Sequence, residues 1–263
     1  MVWSDRMTDG AALDTSILHP AANAPPSVDV AALLAQLDVW RAELHESYNE
    51  HLAPSAVPKE VFAGWLVEMY HYIRDFPAVI DVAAERASGP LLQLLRLYGR
   101  QEVGHENFVL ETLRRIGLPA GDVVSSRPLV STTAIGLLMR ELVAANPGAM
   151  LLIAHLIEAD GFDEAVMRSL DSDICSQHGF PEQAMAPLFE HQRVDFELGH
   201  YKLLADNLGL IQIGSARELQ WILDKMCQLK EAYQLLGIEV QASYKGRSMD
   251  AVIRRPVRIA AAG

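Results

Sequence analysis

Cysteine is scarce in this chain, which limits the classes of protein to consider. Only two cysteines, Cys175 and Cys227, occur in 263 residues. Two cysteines cannot supply the dense disulfide framework of a small secreted domain, so a reducing compartment is favoured. Long apolar runs are also missing: no early run resembles a signal peptide, and no uninterrupted stretch is long enough to span a bilayer. The sequence therefore predicts a soluble cytoplasmic protein that has no membrane partner.

Basic residues are few as well. The chain has 22 lysines and arginines against 34 aspartates and glutamates, and its formal net charge is −12 at pH 7. Such a surface offers no basic face to neutralise phosphates, which argues against a nucleic-acid partner. We also find no glycine-rich loop for a nucleotide and no arrangement typical of a nucleophilic hydrolase. The expected partner is a small-molecule substrate, without a nucleotide cofactor.

Alternation of apolar and polar residues with a period of two is absent, which argues against β-strands. The periodicity is helical, and prolines and glycines divide it into about seven helices. These predicted helices span roughly 28–52, 58–87, 90–116, 131–145, 147–170, 181–208 and 215–244. We expect an all-α, single-domain bundle over 28–245, with a flexible leader at 1–27 and a flexible basic tail at 246–263.

One predicted helix carries charged residues on its apolar face. Steps of three and four residues place eight side chains on one side of that helix. They are Leu91, Leu95, Tyr98, Glu102, His105, Val109, Leu113 and Ile116. A carboxylate that faces a core is costly unless its charge is compensated, and a bound cation is a natural candidate. Because Glu102 and His105 are three residues apart, both can reach one metal ion.

Two further predicted helices repeat this anomaly. Glu158 shares a face with apolar residues, and His191 and Asp195 are four residues apart on the face of another helix. His200 lies nine residues after His191, about 180° around an ideal helix. It joins the others only through a local break, which the adjacent Gly199 would ease. Carboxylate and imidazole ligands on facing helices suit iron or manganese.

The segments around these residues resemble those of a known enzyme group. The motifs are RQEVGHENF around Glu102, HLIEADGF around Glu158 and HQRVDFELGHYKLL around His191. They are similar to the haem-oxygenase-like diiron oxidases, relatives of the TenA and PqqC proteins, and the resemblance covers roughly 30–245. It implies two Fe(II) ions per chain, O2 as co-substrate and no haem. In that group the last histidine commonly follows the aspartate by three residues, where this chain has Leu198.

The resemblance also implies a reaction class. Enzymes of this group oxidise small molecules in specialised biosynthesis, by N-oxygenation, desaturation or oxidative C–C cleavage. We therefore expect an iron- and O2-dependent oxidoreductase that acts on an amino acid or a carboxylic acid. The expected assembly is a monomer or a homodimer.

The hypothesis assigns a role to each candidate residue. The ligand set is Glu102, His105, Glu158, His191, Asp195 and His200. Glu158 bridges the two metals or lies between them, Glu102 and His105 hold one side, and the remaining ligands hold the other. Both glutamates are also catalytic. The residues expected to contact the substrate are Trp65, Met69, Tyr72, His155 and Phe162. For His155 the sequence favours a place in the core or beside the ligands over a direct contact with the substrate.

Three alternatives remain open. Relatives of TenA and PqqC with the same fold work without a metal, as thiaminase-type hydrolases or cofactor-independent oxidases. A ferritin-like diiron carboxylate protein would use Glu68-x2-His71 and Glu197-x2-His200. Glu68 and His71, however, lie off the apolar stripe of their helix. That stripe consists of Phe62, Trp65, Leu66, Met69, Tyr72 and Phe76. A non-catalytic interaction protein would leave the carboxylates on apolar faces unexplained.

Overall fold

The computed structural model describes residues 30–53, 56–158 and 162–256, and within these ranges the chain is helical without a β-strand. The helices are α1 (Val30–His51), α2 (Lys59–Arg86), α3 (Gly89–Glu102), α4 (Glu106–Arg115), α5 (Ala120–Val124), α6 (Val130–Ala145), α7 (Ala149–Glu158), α8 (Glu164–His178), α9 (Ala186–Leu198), α10 (Leu203–Asn207) and α11 (Ala216–Tyr244). The prediction of one all-α domain is confirmed. None of the described helices combines the length and apolar composition that crossing a lipid bilayer requires.

Helix α2 lies at the centre of the bundle. It packs against α3, α4, α6 and α11, so that more than one of its faces is covered. Side chains such as Phe62 and Leu66, on its predicted apolar stripe, are buried. Helix α3 packs against α2, and α7 packs against α1 and α6; the C-terminal ends of α3 and α7 carry Glu102 and Glu158.

The helix count exceeds the prediction because the chain breaks within predicted helices. The segment predicted as one helix over 147–170 forms α7, which ends at Glu158, and a separate α8. Asp163 begins α8: its side chain accepts hydrogen bonds from the backbone amides of Ala165 and Val166, which compete with a continuous helix. Gly179, with φ of 65°, ends α8 in the left-handed conformation that glycine adopts easily.

Part of the predicted basic tail, 246–263, is packed against the body, namely residues 249–254. Val252 is buried, the Arg127 amide donates to the Arg254 carbonyl at 2.7 Å, and the Arg254 guanidinium donates to the Pro128 carbonyl at 3.0 Å. The expectation of a loose tail is therefore corrected for this part, because backbone hydrogen bonds and an apolar anchor fix it. Residues 257–263 and the predicted leader, 1–27, lie outside the described residues.

Glu68 and His71 are both buried, although the sequence places them off the apolar stripe. The reason is that α6 and α11 cover this second face of α2. The Glu68 carboxylate accepts hydrogen bonds from the Leu129 amide at 2.8 Å and from the Thr132 and Tyr244 hydroxyls at 2.6 Å each. This carboxylate therefore ties the start of α6 and the end of α11 to α2.

We expect Glu68→Ala to lower the free energy of unfolding by about 3 kcal/mol, because three buried donors lose their acceptor at once. Denaturant unfolding followed by circular dichroism measures the change. Glu85→Ala, at an exposed position of the same helix, is the matched control and should change stability by less than about 0.5 kcal/mol. Equal stability of the two variants would show that the Glu68 network contributes nothing.

Candidate metal centre

Six residues from separate parts of the chain converge at one place in the bundle. Helix α4 packs against α9, and α7 packs against the 3-10 turn His200–Lys202. These contacts bring together the whole predicted ligand set. Its members fall into two groups, one of His105, His191 and Asp195, the other of Glu102, Glu158 and His200. Within each group the potential ligand atoms lie within 4.8 Å of one another, compatible with atoms that share one ion at about 2.1 Å.

The first group contains two imidazoles and one carboxylate. His105 Nδ1 lies 3.1 Å from His191 Nε2 and 3.2 Å from Asp195 Oδ1. His191 Nε2 lies 3.2 Å from the other carboxylate oxygen of Asp195. Three side chains that can each donate a ligand atom to a metal ion therefore lie side by side.

The second group contains two carboxylates and one imidazole. His200 Nδ1 lies 3.1 Å from Glu102 Oε1 and 3.3 Å from Glu158 Oε2. Two carboxylates span both groups: Glu102 Oε2 is 3.3 Å from His105 Nδ1, and Asp195 Oδ1 is 3.4 Å from His200 Nδ1. The arrangement thus differs from the sequence hypothesis, in which Glu158 bridges the two metals or lies between them, because Glu158 lies with the second group alone.

A glycine turn places His105. The predicted helix 90–116 is broken after Glu102, and Gly104 in the turn has φ of 97°, which favours glycine. The His105 amide still donates to the Glu102 carbonyl at 3.3 Å. The two side chains consequently stay neighbours, although they do not belong to one continuous helix.

A second glycine places His200. Helix α9 ends at Leu198, Gly199 adopts φ of 80°, and the chain continues into the 3-10 turn that begins with His200. This local break turns the His200 side chain, which an unbroken helix would direct away from His191, into the cluster. His200 is fully buried there, and the aromatic ring of Tyr98 packs edge-on against it at 5.0 Å between ring centroids.

We expect Gly199→Ala to lower the free energy of unfolding by about 1 kcal/mol, because alanine is strained at positive φ. Since this glycine places His200, the affinity for ferrous iron should fall as well. Gly136→Ala is the control: Gly136 lies inside α6 with open space at its Cβ, so alanine should raise stability by about 0.5–1 kcal/mol. Thermal unfolding should show a less stable Gly199→Ala and a more stable Gly136→Ala, and iron titration should show weaker binding in Gly199→Ala only. Equal changes in stability and in iron affinity for the two variants would contradict this role of Gly199.

The unpaired polar atoms of the cluster fit a metal centre. Among the described residues, Glu102 Oε1, Glu158 Oε2, Asp195 Oδ1 and both ring nitrogens of His200 are buried without a hydrogen-bond partner of suitable geometry. Buried polar atoms are nearly always paired, so each such atom requires an explanation. Divalent cations bind both carboxylate oxygens and imidazole nitrogens, so one cation in each group would give these unpaired atoms a partner.

Electrostatics in the cluster favours the charged forms of Asp195 and His200 but not that of Glu158. Burial raises the pKa of Asp195, but the close approach of His200, at 3.4 Å, and the nearby His191 and His105 outweigh burial and lower that pKa overall. Burial lowers the pKa of His200, but its contacts with Asp195 and Glu158 outweigh burial and raise it. Burial, followed by the negative charge of Glu102, raises the pKa of Glu158. A cation would relieve the repulsion between these carboxylates.

Tyr98 is a functional candidate that the sequence analysis treated only as part of the apolar stripe. It is fully buried, and its hydroxyl donates a hydrogen bond to Glu158 Oε1 at 2.7 Å. Glu158 Oε2 points to His200 instead. Tyr98 therefore holds one oxygen of Glu158 and leaves the other for the cluster. The signal for this role was its position one helical turn before Glu102.

A cavity of about 610 Å³ opens beside the cluster. Four of the six candidate ligands line it, namely Glu102, Glu158, His191 and Asp195. Its remaining wall comes mainly from apolar and aromatic side chains of α1, α2, α7, α8, α9 and α11. A cavity of this size beside convergent polar groups is typical of a small-molecule site.

The predicted substrate contacts divide into two sets. Trp65, Met69 and Tyr72 line the cavity. His155 does not; its ring faces α1, where Nε2 lies 3.0 Å from the Asp38 carboxylate. Phe162 does not line it either but packs against Phe196, with the ring centroids 6.4 Å apart. The structure thus places neither His155 nor Phe162 in the wall of this cavity, because a shared helical face does not determine which neighbour a residue meets.

The ferritin-like alternative does not fit the geometry. Glu68 is occupied by the network of α6 and α11, and His71 Nε2 pairs with the Ser126 hydroxyl at 2.8 Å. Glu197 is exposed and forms an ion pair with Arg193. Of the residues that only this alternative requires, Glu68, His71 and Glu197, none belongs to the six-residue cluster.

Comparison with known proteins identifies the fold. No family model and no curated protein matches the sequence. A protein of Shewanella denitrificans, described as a domain of unknown function with a haem-oxygenase-like fold, matches with a TM-score of 0.63 at 18% identity over 85% of this chain and 98% of that chain. A TenA homologue from Pseudomonas syringae pv. tomato matches with a TM-score of 0.59 at 12% identity over 84% of this chain and 99% of that chain. The chain has the expected haem-oxygenase-like fold; such low identities carry no activity from one protein to another.

Proposed function

We propose that this protein is a non-haem diiron oxidase or oxygenase that uses O2 to oxidise a small molecule in specialised biosynthesis. The observation that carries the proposal is the pair of three-residue groups. They contain buried carboxylate oxygens and imidazole nitrogens without a hydrogen-bond partner. His105, His191 and Asp195 would hold one ferrous ion, and Glu102, Glu158 and His200 the other. When bound, such a pair supplies the electrons and open coordination positions that O2 chemistry requires.

The surrounding residues prepare this site for oxidation chemistry. Tyr98 fixes the orientation of Glu158 through its hydrogen bond, and the edge of the Tyr98 ring holds His200. The apolar walls of the cavity, among them Trp65 and Met69, exclude water from the space in which a substrate would lie. These residues position the carboxylates and protect the reacting groups.

The lining of the cavity favours a substrate that has an apolar portion and a carboxylate or amino group. Among the described residues that line it, none is a lysine or an arginine. A substrate carboxylate would therefore meet no cationic side chain there. Two ferrous ions exceed the charge of the three carboxylates by about one unit, so the occupied centre itself would attract an anion. We propose an amino acid or a carboxylic acid as the substrate.

Anaerobic titration of metal-free protein with ferrous iron tests the proposal. We expect about two ions per chain, and then oxygen consumption when O2 is admitted, which an oxygen electrode measures. Addition of amino acids and carboxylic acids in turn should identify compounds that accelerate oxygen consumption. A chain that binds no iron and consumes no oxygen would contradict the proposal.

A cofactor-independent, TenA-like enzyme is a second candidate, and two observations favour it. The fold is shared with a TenA homologue. The raised pKa of Glu158 also keeps this carboxyl protonated at higher pH than usual, as a general acid requires. This candidate predicts that metal removal leaves activity unchanged.

A further inference from the structure

Tyr233 is the one described cavity-lining residue outside the candidate metal centre that has a buried polar atom without a hydrogen-bond partner. The ring lies edge-on to Tyr72, with 5.8 Å between centroids, so packing fixes its orientation. A buried hydroxyl without a partner costs about 1–3 kcal/mol, whereas phenylalanine would fill the same space without this cost. The hydroxyl thus requires an explanation beyond packing.

Tyr233 lies on the face of α11 that forms part of the cavity wall. Tyr233, Leu236 and Gly237 are three and four residues apart, share one face of the helix and all line the cavity. Gly237 allows α11 to approach the end of α1: a Cβ at this position would lie 3.2 Å from His51 Cβ. This close contact with α1 fixes the stretch of α11 that carries Tyr233.

The hydroxyl is also a hydrogen-bond donor near the candidate metal centre. Burial raises the pKa of Tyr233 well above its ordinary value, and the nearby Tyr72 and the charge of Glu158 raise it further. The hydroxyl therefore keeps its proton over the physiological range. Tyr233 and Glu158 both line the cavity, so a molecule that occupies it can reach the hydroxyl and the candidate metal centre together.

We infer that Tyr233 is a positioning residue whose hydroxyl donates a hydrogen bond to a carbonyl or carboxylate oxygen of the molecule that occupies the cavity. Because no lysine or arginine is among the described lining residues, this neutral donor selects ligands that carry an oxygen acceptor. The inference rests on the proposed function only in taking the occupant to be its substrate. The hydrogen bond itself requires no metal ion.

Calorimetric titration of the full chain with two small probes tests this role. One probe is benzylacetone, whose ketone oxygen accepts a hydrogen bond; the other is its isostere with a methylene group in place of that oxygen. Wild-type protein should bind the ketone roughly five- to tenfold more tightly than the isostere. In Tyr233→Phe this ratio should fall to one or below, because the ketone oxygen is then buried without a donor, while the affinity for the isostere stays unchanged.

Tyr201→Phe is the matched control, since Tyr201 stacks on Phe196 but does not line the cavity, and it should keep the wild-type ratio. The isostere also reports on folding: unchanged affinity for it in Tyr233→Phe shows that the cavity is intact. Equal binding of both probes by wild-type protein, as expected if a water molecule pairs with the hydroxyl, would overturn the inference. So would an unchanged ratio in Tyr233→Phe.

Titrations with and without bound ferrous iron separate this inference from the proposed function. A preference for the ketone that disappears in Tyr233→Phe supports the role of Tyr233 even if the chain binds no iron. Conversely, binding of two ferrous ions without any ketone preference supports the metal centre and overturns the role of Tyr233.

Discussion

Replacement of Glu158 by alanine is expected to abolish oxygen consumption and to lower the bound iron from about two ions per chain to about one. Glu158 supplies one of the two carboxylates of the second group, and its free oxygen lies 3.3 Å from His200 Nδ1. Loss of a residue that only supports a ligand costs about 10–100-fold in metal affinity, so loss of a ligand should cost at least about 100-fold. The first group retains its three ligands.

Iron content after anaerobic loading and desalting, together with the rate of oxygen consumption, measures this effect. Glu164→Ala is a suitable control, because Glu164 lies at the exposed start of α8 and contacts only Arg168 among the ion pairs described for it. The control should bind iron and consume oxygen as the wild type does. Wild-type oxygen consumption by Glu158→Ala would refute the diiron proposal, since no other described carboxylate replaces Glu158 in its group.

The spacing of charged residues on apolar faces predicted which residues would meet in the bundle. It did not predict how these residues would divide into the two three-residue groups. Glu102 and Glu158 lie on the stripes of their helices, so periodicity directs both towards the interior. Their assignment to one group with His200 depends on how α3, α7 and the turn after α9 meet. Such contacts are tertiary, and no local pattern encodes them.

The apolar periodicity of the sequence predicts the breaks within helices least well. The stripe of 90–116 continues through Gly104 without a change of period, yet the chain turns there because positive φ costs glycine little. At Gly199 the position of His200 itself gave the signal, because nine residues after His191 an unbroken helix faces the wrong way. A residue of a metal-binding type that an unbroken helix would direct away from the other ligands thus indicates a break in that helix.

Residues buried on a second face of a helix escaped the sequence analysis. Glu68 and His71 lie off the stripe of α2 and are nevertheless buried, because α2 is covered on several sides. Tyr98 and Tyr233 look like ordinary core aromatics in the sequence. Only the three-dimensional arrangement shows that one hydroxyl holds Glu158 and that the other belongs to a cavity-lining residue and has no partner.

Two acidic residues of α9 offer the sharpest test of where the metals bind. Asp195 lies between the two groups, whereas Glu197, two residues later, is exposed beside Arg193. We expect Asp195→Ala to lose bound iron at both positions and all oxygen consumption, because its two oxygens contact His191 on one side and His105 and His200 on the other. Glu197→Ala should keep about two ions and the wild-type rate.

The opposite result would favour the ferritin-like ligand set, in which Glu197 pairs with His200 along the chain. The fold argues against that result, because residues two apart in a helix differ in direction by about 200° and cannot both face one centre. Helix α9 is unbroken between Asp195 and Glu197, and the turn at Gly199 reorients only the residues after it. The end of α9 at Gly199 thus brings His200 to Asp195 and leaves Glu197 exposed to solvent. The iron contents of Asp195→Ala and Glu197→Ala should therefore differ completely.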